Sequence, residues 1–95
     1  MIRIMARMSA RAGSEALLRD VLQQLLAPSR GEAGCLRYEL FENEDHPGEF
    51  VTVEQWEDQA AADAHLATPH VAAALARAGG LLAQVPLIHR FRQVV

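Results

Sequence analysis

At 95 residues the chain has room for one domain, spanning residues 1–95. A domain this small buries only about 60–65% of the surface its unfolded chain exposes, so it is a candidate for self-association. A net charge of −3 lacks the basic clustering of a nucleic-acid binder. No uncharged apolar run approaches the roughly 20 residues that span a bilayer.

Hydrophobic residues make up 51% of the chain but aromatics only 5%, so Leu, Val, Ile, Met and Ala must fill most of the core. All nine basic residues are Arg. The lone Cys35 cannot form an intrachain disulfide and reads as a small buried hydrophobe. Charges at Arg3 and Arg7 exclude a signal peptide at the start of the sequence. Together these features point to a cytoplasmic protein with neither nucleic acid nor membrane as partner.

The first nine residues, MIRIMARMS, alternate, with Ile2, Ile4, Ala6 and Met8 on one side, as a strand with one apolar face requires. Ser14 is a suitable N-cap for a helix, with Glu15 in its first turn. Leu17, Leu18, Val21, Leu22, Leu25 and Leu26 form its apolar stripe, and Pro28 is expected to end it. PSRGEAG reads as loop and CLRYELFE as a second strand, with Leu36, Tyr38 and Leu40 facing away from Arg37 and Glu39. NEDHPGE is a turn, and FVTVEQWE completes an antiparallel hairpin.

Asp58 caps a short helix through His65. Thr68-Pro69 restarts the helix, and Gly79-Gly80 stops it. PLIHRFRQVV is the last strand. The order β-α-β-β-α-β is the ferredoxin-like α+β pattern, an antiparallel sheet with its helices on one face. The opposite face is expected to carry Arg37, Glu39, Phe41, Phe50, Thr52, Glu54 and Trp56. So many aromatics and paired charges call for a second subunit to cover them.

The chain has no Gly-rich phosphate loop, no G-x-S-x-G elbow and no zinc spacing of Cys and His. His65 and His70 straddle the break at Pro69, which does not suggest a joint metal site. Glu54 and Glu57 differ in strand parity and read as an ion-pair partner and a solvated end, not an acid–base pair. Trp56 and His65 leave two readings open. Either they line a pocket, with indole as stacking surface and imidazole as proton carrier, or Trp56 is core and His65 bridges helix to sheet.

The run GCLRYELFENEDHPGEFVTVEQWEDQAAADAHLATPHV resembles the antibiotic biosynthesis monooxygenase family, and most of all its quinol monooxygenase-like members. The matching residues are Gly34, Cys35, Tyr38, Pro47, Phe50, Glu54, Trp56, Ala64, His65, Thr68, Pro69 and His70. The resemblance implies a dimeric α/β barrel of two face-to-face sheets. It also implies a monooxygenase that oxidises a quinol or polyphenol with molecular oxygen and uses no metal, flavin or other cofactor.

On that model Trp56 walls the pocket and His65 or His70 takes the substrate proton. Tyr38, Arg7 and Arg90 bind substrate, and Glu54, Arg37, Glu39 and Phe50 meet the partner subunit. Relatives that degrade haem carry an Asn in the first strand where this chain reads IMARMSA. Two alternatives accompany the oxygenase: a non-catalytic ligand-binding, stress-associated dimer, and an isomerase of a small phosphorylated metabolite.

Overall fold

The computed structural model describes residues 1–95, in the order β1 (Ile2–Ser9), α1 (Glu15–Gln23), α2 (Leu26–Arg30), β2 (Cys35–Glu42), β3 (Glu49–Trp56), α3 (Gln59–Leu66), α4 (Pro69–Ala78) and β4 (Leu87–Phe91). The four strands form one antiparallel sheet in the order β2-β3-β1-β4. The helices pack on one face. Leu18, Leu22, Leu25, Ala62, Val71, Ala74 and Ala78 from the helices join Ile4, Ala6, Met8, Tyr38, Phe50 and Trp56 from the sheet in one core. This is the ferredoxin-like arrangement that the chain order implied, and no helix is long and apolar enough to cross a membrane.

Most boundaries follow local chemistry. Asp58 accepts the Ala61 N–H at 2.8 Å, which caps α3. Thr68 occupies the cap of α4 with Pro69 at its first position, where no N–H is needed. Two details at the first helix differ from expectation. Ser14 sits at the N-cap without a side-chain cap bond, and Glu15 instead accepts the Gly13 N–H. Pro28 does not end the helical path but lies inside the short α2, early enough that its missing N–H costs little. It cannot donate to the Gln24 carbonyl four residues back, which accounts for the interruption between α1 and α2.

The larger correction concerns β3. Phe50, Thr52, Glu54 and Trp56 all turn toward the helices and are buried, while Val51, Val53 and Gln55 face the open side. Pairing with β1 decides this, because Glu54 stands opposite the inward-facing Ile4 and Phe50 opposite Met8. Glu54 and Phe50 therefore cannot meet a partner across the open sheet face. Arg37 and Glu39 do lie on that face, 3.7 Å apart as an exposed pair.

A register shift between Cys35 and Arg37 leaves Leu36 exposed, not on the inner face with Tyr38. Strand β4 stops at Phe91, four residues short of the expected strand. Arg19 forks onto Glu42 at 2.8 and 2.9 Å, and this hydrogen bonding holds the Glu42 carboxyl below the usual range.

Candidate active site

Strand alternation drives Thr52, Glu54 and Trp56 under the helix layer, where each polar atom needs a partner. Glu54 is the hub. Its Oε2 accepts the Thr52 hydroxyl at 2.6 Å and its Oε1 accepts the Trp56 indole N–H at 3.0 Å. His65, on the buried face of α3, stacks on the Trp56 ring with centroids 4.4 Å apart and meets Tyr38 edge-on at 5.5 Å. Its Nε2 lies 3.6 Å from Glu54 Oε1, and its Nδ1 lies 2.7 Å from Glu32 Oε2. The same Glu32 oxygen is 2.8 Å from His70 Nε2. Each ring nitrogen of His65 therefore faces a carboxylate.

This cluster closes one end of a cavity of about 290 Å³ between the sheet and the helices. Tyr38, Thr52, Glu54 and His65 are the polar lining. Met8, Leu22, Leu25, Leu66, Val71, Leu75, Leu82 and Ile88 supply most of the rest, and no Arg or Lys contributes. Burial pushes the Tyr38 phenol well up, and the Glu54 carboxylate adds to the effect, so it remains a neutral donor. The Ser29 hydroxyl lies near that phenol and weakly opposes the shift. Yet no hydrogen bond of good geometry forms, and buried Ser29 Oγ has no partner. Burial raises the Cys35 thiol first, with the Glu32 and Glu54 carboxylates adding to it, which fits an unreactive side chain.

Of the residues named from sequence, His65 and Tyr38 line the cavity. Trp56 does not wall it. The indole is wholly buried behind His65, where it positions that ring and Glu54. His70 lies on the far side of Glu32 and does not reach the cavity lining. Neither arginine is in the site. Arg7 sits on the open sheet face, 3.9 Å from Glu49, and Arg90 pairs with Asp63 of α3 at the sheet edge.

Glu54, expected at the dimer face, instead lines the cavity. Glu32 meets His65 and His70 although its only local signal in the sequence is an acid in a Gly-flanked turn, GEAG. The donor atoms of Glu32, His65 and His70 all lie within 4.8 Å of one another, a spacing within which a metal ion can be held.

Fold and site together define a two-layer α+β domain of the ferredoxin-like kind, with an apolar cavity ending in His, Glu and Tyr. Its sequence matches the family described as antibiotic biosynthesis monooxygenase over residues 1–77, and the chain belongs to that family. Rv0793 of Mycobacterium tuberculosis, which bears the name "Putative monooxygenase", is 35% identical over 81 residues, covering 85% of this chain and 79% of that one. Its solved structure superposes with a TM-score of 0.92 at 30% identity, over 99% of this chain and 95% of the other. PA3566 from Pseudomonas aeruginosa gives a TM-score of 0.91 at 33% identity, over 99% and 94%. A further solved structure, described as an antibiotic biosynthesis monooxygenase, gives 0.92 at 27% identity over the whole of both chains.

Proposed function

We propose that this chain is a monooxygenase that oxidises a flat, hydroxylated aromatic, a quinol or polyphenol, with molecular oxygen and without a redox cofactor. The observation that carries the reading is the junction of an apolar cavity with a buried His65–Glu54 pair. At about 290 Å³ the space is at the lower end of the range for small-molecule pockets, which suits one or two fused rings. Apolar side chains cover the ring faces, while a ring hydroxyl meets the polar end.

The balance asks little of the protein. A quinol and one O₂ give a hydroxyquinone and one water, and all four electrons come from the ring and its hydroxyls. Deprotonation makes the ring a better reductant. Glu54 is the base on this reading, with its proton passing to or from His65 Nε2. The Tyr38 phenol, kept protonated, donates to the developing oxyanion. Trp56 and Thr52 hold the Glu54 carboxylate in place. Oxygen uptake with a panel of reduced naphthoquinols and polyphenols tests this, and an absence of enzyme-dependent uptake across the panel sinks it.

The isomerase alternative fits the cavity poorly, because a phosphoryl group would find the Glu54 carboxylate there and no Arg or Lys. A non-catalytic binder uses the same cavity, and oxygen uptake separates it from the enzyme. The homodimer belongs to the same proposal. The open sheet face exposes Leu36, Phe41, Met5, Leu87 and Phe91 beside the Arg37–Glu39 pair, an apolar surface with a charged edge that a second copy would cover.

A further inference from the structure

We infer that Glu32, His65 and His70 form a binding site for a divalent first-row transition-metal ion, on the side of His65 that faces Glu32 and through the ring nitrogen, Nδ1, that the reaction proposed above does not use. Two imidazole nitrogens and a carboxylate are the donor set of such ions, Zn²⁺ and Fe²⁺ among them. The three residues come from separate elements: the turn after α2, the buried face of α3 and the first turn of α4. The break at Thr68-Pro69 places the two rings, with centroids 6.1 Å apart, on the same carboxylate. The donor atoms already lie within 4.8 Å of one another, and Glu32 Oε2 is 2.7 and 2.8 Å from the two nitrogens.

Bonds of about 2.0–2.2 Å to each donor set the donors roughly 3.4 Å apart in a tetrahedral site. Glu32 therefore has to withdraw its oxygen from 2.7 and 2.8 Å to about 3.4 Å from the two nitrogens, and the imidazoles, up to 4.8 Å apart, have to close on each other, movements open to a side chain at a turn and to the partly exposed His70 ring.

A second observation separates this cluster from an ordinary hydrogen-bonded one. His65 would bind through Nδ1, and its other nitrogen, Nε2, faces the buried Glu54 carboxylate at 3.6 Å. Glu54 is itself held by Thr52 and Trp56. A carboxylate behind the far nitrogen of a ligating histidine is the usual outer-shell support of such sites. Bound metal would fix His65 with its proton on Nε2. It would also tie the α2–β2 turn to α3 and α4, the two helices that roof the cavity.

Calorimetric titration of tag-free protein with Zn²⁺, and the visible absorption of its Co²⁺ form, test the assignment without any substrate. One equivalent should bind at micromolar concentration or tighter, with a rise in melting temperature. Glu32→Gln and His70→Gln, both outside the cavity, should each weaken binding by about 100-fold and abolish that rise. Glu54→Gln should weaken it by about 10-fold. Absence of saturable binding at 100-fold molar excess, or binding that neither Glu32→Gln nor His70→Gln reduces, overturns the site. Because no turnover is measured, loss of the oxygenase reading leaves this result standing, and the reverse holds as well.

Discussion

Replacing Glu54 by Gln separates the two roles of that side chain, because the amide keeps the shape and discards the charge. Glu54 accepts two hydrogen bonds, from Thr52 and from Trp56. The amide oxygen can keep the indole bond while its NH₂ donates to the Thr52 hydroxyl, which rotates to accept. Two charge-assisted bonds become neutral ones, at a cost of about 1 kcal/mol each. Relief from burying a charge offsets part of that, so stability should move by no more than about 2 kcal/mol.

Turnover should fall by about 10²–10⁴, the usual contribution of a positioned base. The chain's single tyrosine supplies an independent readout. In the wild type, burial and then Glu54 hold the Tyr38 phenol well up. Its absorbance titration should therefore move toward lower pH in the variant and still stay above that of free tyrosine, since burial persists.

The linkage follows the same sign. An acid whose folded pKa is raised contributes stability that is present below about pH 10 and lost as pH rises toward the folded value. The wild type should thus lose stability above about pH 10, and Glu54→Gln should lose less. Wild-type turnover in a folded Glu54→Gln variant, or a Tyr38 titration that does not move, refutes the reasoning.

Three further outcomes follow from the geometry. Gly34 has φ +83° and an added Cβ would lie 2.6 Å from the Ala61 Cβ of α3, so Gly34→Ala should cost about 2–5 kcal/mol in urea unfolding, from backbone strain plus overpacking. Arg7→Ala and Arg90→Ala should leave kcat/KM unchanged and stability within about 1 kcal/mol, since both side chains are exposed pairs outside the cavity. A large loss of activity in either would return an arginine to the site. Sedimentation at micromolar concentration should give twice the 10.4 kDa chain mass, and a monomer removes the partner from the open sheet face.

Much of the architecture was legible because it is written in local chemistry. The alternation of Ile2, Ile4, Ala6 and Met8 gave β1 and its inner face, and Asp58, Thr68 and Pro69 marked the two helices after β3. The facing of β3 was not legible. Its two parities are Phe50-Thr52-Glu54-Trp56 and Val51-Val53-Gln55, and both mix apolar with polar residues. Only the pairing of Glu54 opposite Ile4 decides between them.

That one ambiguity moved Glu54 from the centre of the site to a supposed dimer face. Tyr38 and His65 entered the site through the family resemblance, since strand parity and helix spacing alone left His65 open between pocket and core. Glu32 did not, because it meets His65 across 33 positions of sequence, through a contact that no periodicity encodes. His70 was expected in the cavity because it completes the Thr-Pro-His run shared with the family. The turn at Thr68-Pro69 sends it behind Glu32 instead.

The central claim is that the cavity ending at His65 and Glu54 turns over a hydroxylated aromatic with oxygen. The direct measurement is oxygen consumption by the purified protein with a reduced naphthoquinol, together with product analysis. Enzyme-dependent uptake of one O₂ per quinol is expected, with one oxygen atom from labelled O₂ in the product, as is its loss in Glu54→Gln. Uptake no faster than the spontaneous reaction, across quinols and polyphenols that fit the cavity, would contradict it.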